Sequence, residues 1–361
     1  MPNFEKISDI SYNIALVFCV SCNFLLLYLV HTKSPKHVGA YKYLMTFFAL
    51  NGVFHSVFDF IAKPIFIMLE GNEDHGNILV YFVLNERFPS KWWAVRATEV
   101  YGFFLAVIFV IFAVHFIFRY WTITKNEKIR FFNFPYFICW IIISYWFGVE
   151  YSYILHLEFS ERNDKTEFIR PKMLADFGRS MDEISYMAAR FVKKSDISGE
   201  LSIDWRQVGF YFAAVKTMIL SFVILIFCGY SIARKIRNDL KILASKERLR
   251  LELNLFLALI VQTLIPVLMI YAPFLLMWNF PIFLGIETAR LTGMGVALYP
   301  GIDPLAIIFI VSSYRRAVFK PFRKIIYGNN KSAKRFQEAP GIRECARDPE
   351  MRQRSRNAPV I

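Results

Sequence analysis

The sequence predicts an all-α membrane protein, a bundle of seven transmembrane helices with its amino terminus outside the cell and its carboxyl terminus inside. Two observations predict it. Seven apolar stretches are each long enough to cross a bilayer, and basic residues gather in alternate connections between them. A span needs about 20 mainly apolar residues to cover roughly 30 Å of hydrocarbon. Within lipid it must be helical, because every backbone N–H and C=O needs a partner inside the segment.

The elements follow one another in a simple order. Residues 1–9 form the expected extracellular amino terminus, and residues 10–312 form the seven-helix bundle, with a long outer loop at 155–206. Apolar and basic residues then alternate over 313–327, which is typical of an amphipathic helix on a membrane surface. Residues 328–361 have the polar composition of a disordered cytoplasmic tail. The predicted spans are 10–30, 44–68, 95–120, 134–154, 208–233, 251–277 and 287–312.

The distribution of basic residues decides the predicted orientation. Lysines and arginines cluster after spans one, three and five and in the tail, whereas the amino terminus offers only Lys6 and the short connection between spans six and seven only Arg290. Basic connections stay on the cytoplasmic side of a membrane. Most of the net charge of +14 therefore reflects the orientation of the chain in the membrane, with lipid as its partner. A nucleic-acid partner is not expected.

The positions of the cysteines limit how the outer loop can be held. Four fall inside predicted spans and one in the tail, so a disulfide cannot tie the outer loop to span three. Two apolar segments of that loop, 173–177 and 184–191, leave two alternatives: short helices that cover the bundle, or a flexible linker. The cysteines are Cys19, Cys22, Cys139, Cys228 and Cys345.

Span two carries four polar residues at four-residue spacing, Asn51, His55, Asp59 and Lys63, which places them along one face of a helix. Charged groups inside a membrane are costly unless they are paired or face water. Asp59 and Lys63 are neighbours at i and i+4, so one interpretation is that they neutralise each other. The other is that the face points into the bundle interior.

Span three places Tyr101 and Arg119 on one line about 27 Å apart, so a single helix joins an outer site to the inner surface. Phe118, and not an acid, precedes the arginine, so an ion pair of Arg119 needs another partner or is absent. The alternative for Arg119 is that it extends to lipid phosphates. Glu99 lies at the outer rim, either solvated or paired with Arg96.

Lys216 lies about 12 Å below the outer end of span five and needs a partner, for which Glu150, Asp59, Glu99 or a ligand are alternatives.

Span seven contains a predicted hinge. Pro300 and Pro304 remove two backbone hydrogen bonds on either side of Asp303. Thr288, Thr292 and Asp303 share a face of this helix, and Asp303 and Asn51 lie at similar depth, where a shared polar cluster is expected. Pro266 predicts a second kink, in span six.

Catalytic signatures are absent from the sequence. It contains no HExxH, GxSxG or GxxxxGK[ST] pattern, so an enzyme, a metal site and a cofactor are not expected. The strongest alternative from another class is a membrane transporter or channel for a small solute. A transporter built from duplicated halves would show an internal repeat, which is not visible here. An insect-type odorant-gated channel has its amino terminus inside, opposite to this charge pattern.

Five motifs, in order and at corresponding spans, resemble the nematode serpentine chemoreceptors of the Str superfamily, which includes the diacetyl olfactory receptor. The resemblance covers about residues 10–320 and implies a G-protein-coupled receptor in the ciliary membrane of a chemosensory neuron. Its implied partners are a small odorant or tastant and a heterotrimeric G protein, and a receptor oligomer is left open. The motifs are GAYKYLM at 39–45, DFIAKP at 59–64, HFIFRY at 115–120, QTLIP at 262–266 and ALYPGIDPL at 297–305.

Three groups of candidate residues result. Candidates for ligand contact are Tyr101, Glu99, Lys216, Thr288 and Thr292. Candidates for G-protein coupling are Arg119, Tyr120, Arg234 and Lys235. The residues expected to form a polar switch or hinge are Asn51, Asp59, Lys63, Pro266, Pro300, Asp303 and Pro304.

Overall fold

The structure is a computed structural model that describes residues 2–34, 39–71, 78–194, 200–241 and 286–326, with short described pieces at 260–261, 264–265 and 267–272. Most of predicted span six, including Pro266, and the predicted tail 328–361 lie outside the described residues. The described residues are mostly helical.

In the part of the chain that the structure describes, seven helices lie before residue 311. The π-helical turn Leu155–Phe159 continues the fourth helix, and a separate π-helical turn lies at Val267–Tyr271. Short 3₁₀ turns precede the third and fourth helices at Asn85–Arg87 and Glu127–Phe132. The helices are α1 (Pro2–Thr32), α2 (Tyr41–Ala62), α3 (Lys91–Ile123), α4 (Phe137–Ile154), α5 (Asn163–Phe177), α6 (Trp205–Lys241) and α7 (Ile286–Ile310).

An eighth helix, α8 (Ser312–Ile326), belongs almost entirely to a separate compact unit that begins at Ser313. Its sequence alternates basic residues with apolar ones such as Val318 and Phe319. Its position on a membrane surface stays a prediction.

Among the described residues, five helices are long and apolar enough to cross a membrane, and a sixth span qualifies if Gly295–Ile310 of α7 is counted together with Ser313–Lys320. Large apolar side chains on the outward faces of α4 and α6, such as Ile142, Trp146, Ile226 and Tyr230, are exposed. A soluble protein would bury many of these, whereas lipid solvates them. The five spans are Ser8–Thr32, Tyr41–Ala62, Lys91–Ile123, Phe137–Phe159 and Trp205–Asn238.

The third helix is the centre of the bundle, with an almost unbroken buried stretch from Leu105 to Phe116. It packs against α2, α4 and α6. Glycine makes the α3–α4 contact possible: a Cβ on Gly148 would lie 2.6 Å from the Phe103 ring, and one on Gly102 2.3 Å from Leu155 Cδ1. Larger residues at these two positions would push the helices apart.

The second span ends earlier than the sequence predicts. We expected a helix over 44–68, but α2 ends at Ala62, and Lys63 adopts a left-handed conformation with a φ of 42°. The cause is Pro64, which disfavours helical geometry in the residue before it and cannot donate a backbone hydrogen bond. Asp59 therefore lies in the last turn of the helix.

Beyond this point the chain forms β-structure, so the all-α prediction is wrong. Strands β1 (Ile65–Leu69), β2 (Ile78–Leu84) and β3 (Ile184–Arg190) form an antiparallel sheet in the order β1–β2–β3. In the register, Phe66 lies opposite Tyr81 and Tyr81 opposite Met187. Two shorter strands, β4 (Val192–Lys194) and β5 (Leu201–Ile203), form a separate hairpin.

The sheet is a layer between α5 and one end of the helix bundle, which we name the sheet end. Alternate residues face opposite sides of a strand. One face, including Ile67, Val80 and Phe82, packs with Phe168 and Met173 of α5 in a hydrophobic cluster. The other face contacts α3 and α7.

This arrangement decides between the alternatives for the predicted outer loop. The first apolar segment, 173–177, lies in helix α5 as one alternative had it. The second, 184–191, contains strand β3 and not a helix. A short apolar run fits a buried strand or a buried helix, and antiparallel pairing with β2 along Ile184–Arg190 makes it a strand.

Ion pairs and hydrogen bonds add to the hydrophobic contacts at the sheet end. The described cysteines are all free thiols, so disulfides do not contribute there. The fully buried Glu158 carboxylate accepts from Arg206 Nε at 2.7 Å and from Gln207 Nε2 at 3.1 Å, which joins the end of α4 to the start of α6. Lys165 of α5 donates to the carbonyl oxygens of Glu158 at 2.6 Å and Ala188 at 2.9 Å. A single buried lysine thus connects α4, α5 and β3.

Candidate functional site

Three aromatic rings meet beneath the sheet. Phe66 of β1, Tyr81 of β2 and Tyr101 of α3 have ring centroids 5.4, 5.7 and 5.9 Å apart, each ring near the other two. Tyr81 is fixed there because its hydroxyl donates to the carbonyl oxygen of Thr98 and lies 3.2 Å from Met187 Sδ. We name these three rings the aromatic cage. Tyr101, a predicted ligand contact, is one of its walls.

Polar side chains of α2 lie next to the cage. His55 lies 6.2 Å from the Tyr101 ring, centroid to centroid, and stacks on Phe104 at 5.4 Å. Asp59 lies one turn further, with its carboxylate 3.5 Å from His55 Nε2. Both side chains are buried, and neither they nor the Tyr101 hydroxyl has a hydrogen-bond partner among the described residues.

Buried polar atoms in folded proteins almost always have hydrogen-bond partners. Asp59, His55 and Tyr101 lie close together, and their polar atoms lack hydrogen-bond partners among the described residues. They therefore indicate a site for a polar molecule.

Lys63 does not neutralise Asp59, so that interpretation of the i, i+4 spacing is wrong. The left-handed turn at Lys63 directs its side chain to Asp9 of α1, with Nζ 3.0 Å from Oδ1. Arg87 donates to the same oxygen at 3.0 Å. Asp9, which the sequence did not single out, takes up both cations.

Two of the other predicted ligand contacts are paired with protein side chains, and the structure does not describe the side chains of the remaining two. Glu99 accepts from Arg96 at 2.7 Å and contacts His156 Nδ1 at 2.8 Å, so the pairing with Arg96 is present. Lys216 contacts Glu150, one of its three expected partners. Thr288 and Thr292 lie in α7, but their side chains are outside the described residues.

The hinge of α7 is held by α1. Pro304 lacks the N–H that would bond the carbonyl oxygen of Pro300, and Asn23 Nδ2 donates to that oxygen at 2.7 Å. Cys19 Sγ lies 3.4 Å from the carbonyl oxygen of Ala297. Asp303 and Asn51 are both buried at this level of the bundle, but a contact between them stays a prediction.

At the end of the bundle opposite the sheet, Arg119 is buried and not directed to lipid. Its guanidinium carbon lies 4.2 Å from the centroid of the Tyr41 ring. The Tyr41 hydroxyl is 3.4 Å from His115 Nδ1, and the ring stacks on Phe118 at 5.0 Å. Among the described residues, a carboxylate within ion-pair distance of Arg119 is absent.

The remaining coupling candidates lie near the same end. Tyr120 contacts Phe227 of α6, with ring centroids 5.9 Å apart, while Arg234 and Lys235 are exposed on α6.

Comparison with known proteins decides the family. A profile described as "Serpentine type 7TM GPCR chemoreceptor Str" matches residues 8–319. This chain belongs to the Str family of serpentine receptors. It is therefore a multi-pass membrane protein of the G-protein-coupled receptor class and not an enzyme.

Curated relatives of this serpentine receptor come from two Caenorhabditis species. It is 29% identical to serpentine receptor class r-10 of Caenorhabditis elegans, over 85% of this chain and 87% of that protein. It is 30% identical to the Caenorhabditis briggsae protein of the same name, with the same coverage of both chains. The G-protein coupled receptor str-33 of Caenorhabditis elegans is 24% identical over 89% of this chain and 92% of that protein. None of these three names states a ligand.

The motifs that carry the family resemblance meet in space in this serpentine receptor. Tyr41 of the first motif and Arg119 of the third form the cation–π contact. Asp59 of the second motif lies at the candidate site. Asn23 was missed because a single asparagine in an apolar span is an ordinary feature of sequence, and its partner is a backbone carbonyl 277 residues away.

Proposed function

We propose that this serpentine receptor detects a small odorant or tastant at the sheet end and activates a heterotrimeric G protein at the opposite end. The observation that carries the proposal is a cluster of buried polar groups beside the aromatic cage, Asp59, His55 and Tyr101, which lack hydrogen-bond partners among the residues that the structure describes. Family membership supplies the receptor class, and the cluster supplies a place for a ligand.

The orientation belongs to this proposal. We place the sheet end outside the cell, because basic residues concentrate in the connections at the other end. We further propose the cilium of a chemosensory neuron as the location.

A mechanism for coupling follows from α3. Tyr101 and Arg119 both point into the bundle from this helix, about 27 Å apart along its axis. Aromatic contacts connect the two levels: Phe109 lies 4.5 Å from Tyr271, and Phe112 lies 6.2 Å from Tyr299 of α7, centroid to centroid. A ligand that moves Tyr101 or the α7 wall would shift this packed layer and, through it, the Arg119–Tyr41 contact.

The test is a response screen in cells that express the full chain at the surface. Calcium or cyclic AMP is recorded against panels of small volatile and water-soluble molecules. We expect a subset to give responses that disappear when Gα activation is inhibited. A solute current or uptake that persists under Gα inhibition would contradict the proposal and identify the channel or transporter alternative.

A further inference from the structure

We infer that the molecule recognised at the sheet end carries a protonated amine, with its ammonium group beside Asp59 and against the aromatic cage. This inference rests on the proposed function and adds the chemical class of its ligand.

The first argument is the missing countercharge. Asp59 is 2% exposed, and the two cations at its end of α2, Lys63 and Arg87, both lie 3.0 Å from Asp9. Among the described residues, a lysine or arginine within ion-pair distance of Asp59 is absent. An isolated carboxylate inside a membrane protein is costly and usually marks a functional group. A ligand cation would supply the charge that the fold directs elsewhere.

The neighbouring histidine does not remove this requirement. His55 Nε2 is 3.5 Å from Asp59 Oδ1, but the pair lacks hydrogen-bond geometry, and both imidazole nitrogens lack partners among the described residues. The His55 ring is held by stacking on Phe104, with an interplanar angle of 17°. The two side chains therefore lie adjacent without satisfying each other, and each retains capacity for a third group.

The second argument is the aromatic cage itself. Ammonium groups bind the negative faces of aromatic rings, and cages of several rings recognise them in many proteins. Phe66, Tyr81 and Tyr101 lie within 5.9 Å of one another, centroid to centroid, and Tyr101 lies 6.2 Å from His55, the neighbour of Asp59. The Tyr101 hydroxyl adds a hydrogen-bond acceptor. A neutral alcohol or carbonyl compound would use the polar atoms but would gain little from the ring faces.

The third argument concerns size. A Cβ on Gly293 of α7 would lie 3.1 Å from the Phe66 ring and 3.7 Å from the Tyr12 hydroxyl, so the α7 backbone closes this side. Tyr12 is itself fixed by donating to the carbonyl oxygen of Pro64 at 2.7 Å. Because α1, α7 and the sheet pack closely here, we infer a ligand whose apolar part is small.

The experiment measures binding apart from signalling. The full-length receptor is purified in lipid nanodiscs, and its thermal unfolding midpoint is followed against two probe series with matched skeletons. One series is isobutylamine, isobutanol and isobutyraldehyde, and the other is benzylamine, benzyl alcohol and benzaldehyde. We expect at least one amine to raise the midpoint at a concentration about tenfold or more below that of its alcohol and aldehyde.

Two variants locate the effect. Asp59→Asn should abolish the advantage of the amine over the alcohol. Glu161→Gln, the control, removes a carboxyl at the sheet end that already contacts Lys91 at 2.9 Å, and should leave that advantage in place. Loss of the advantage in Glu161→Gln and not in Asp59→Asn would overturn the assignment to Asp59. If Asp59→Asn fails to fold, the parent comparison still decides, because equal effects of amine, alcohol and aldehyde, or none from either amine, overturn the inference.

A parallel nucleotide-exchange assay with the same probes and a G protein separates the two proposals. Exchange driven equally by neutral probes and amines would uphold the proposed function and overturn the amine inference. Amine binding that depends on Asp59, with no exchange on any tested G protein, would uphold the inference and count against the proposed function.

Discussion

At the scale of single residues, the guanidinium of Arg119 rests on the Tyr41 ring at 4.2 Å, and the Tyr41 hydroxyl lies near His115. A desolvated cation–π contact contributes about 2 kcal/mol, whereas a buried ion pair is costly to break. Holding Arg119 on a ring therefore keeps the residue in place while allowing its release. This suits a group that changes partners on activation.

We predict that Arg119→Ala abolishes G-protein activation while surface expression and probe binding persist, because its contacts lie about 27 Å along α3 from the sheet-end site. Lys128→Ala, which removes an exposed positive charge near the same end, is the control and should signal like the parent. Signalling and probe binding are measured at matched surface density. A parallel loss of binding and expression in Arg119→Ala would show that the arginine serves folding.

Lys165 is a second residue whose surroundings change its chemistry. Burial lowers the pKa of its ammonium group from 10.5 to about 7. Arg162 and Arg190 act in the same direction, and Asp164 and Glu158 oppose them. The unfolded chain therefore binds more protons than the folded one between about pH 7 and 10.5. The contribution of this group to stability rises with pH across that window and is lowest below it.

The prediction concerns the thermal unfolding midpoint of the purified receptor as a function of pH. Replacing Lys165 by Met should flatten the rise that the parent shows from about pH 7 upwards, because the titrating amine is gone. Lys172→Met on the same helix is the control and should keep the rise, since Lys172 lies on the surface of α5 near Phe168. Identical pH profiles for the parent and Lys165→Met would contradict the assignment.

At the scale of secondary-structure elements, α1 supplies what the α7 prolines remove. Asn23 bonds the Pro300 carbonyl, and a Cβ on Gly301 would lie 2.6 Å from Phe18, so the two helices are in close contact at the hinge. A buried carbonyl that loses its donor costs about 1–3 kcal/mol. The asparagine thus stabilises one conformation of a helix that could otherwise bend.

We predict that Asn23→Leu lowers the free energy of unfolding by about 1–3 kcal/mol and raises basal G-protein activation, because the hinge loses its donor. Thr32→Val is the control: its hydroxyl also donates to a backbone carbonyl, Tyr28 at 2.7 Å, but within its own exposed helix end. Thermal unfolding and basal nucleotide exchange are measured on both. If the two variants behave alike, the hinge does not depend on Asn23.

Local features of the fold could be predicted from the sequence, whereas features that depend on distant partners could not. The prolines of α7 act within one helix, so their effect is predictable from local chemistry. The strand at 78–84 is a short apolar run, ILVYFVL, whose pattern does not separate a strand from a buried helix segment. Its state is decided by pairing with β3, which lies about a hundred residues further along the chain. The Lys63 side chain likewise pairs with Asp9, which is 54 residues away, and the residue spacing within span two cannot reveal that partner.

At the scale of the whole molecule, charge and hydropathy together determined the membrane class, and the family match confirms it. Orientation stays a prediction that a simple labelling experiment decides. A tag at the carboxyl terminus should be reached by antibody only after permeabilisation, because the tail carries many basic residues. A tag before residue 2, as the control, should be labelled on intact cells. Labelling of the carboxyl-terminal tag on intact cells would reverse the topology.

The sheet above the aromatic cage has a consequence for timing. Its strands pack on α5 on one side and on the bundle on the other, so we expect it to open as one layer. A molecule bound beneath Phe66 and Tyr81 is expected to leave no faster than this layer lifts or the helices part, and its own contacts slow it further. Such a receptor would average out fluctuations shorter than its opening time and report the mean concentration of a stimulus to the neuron.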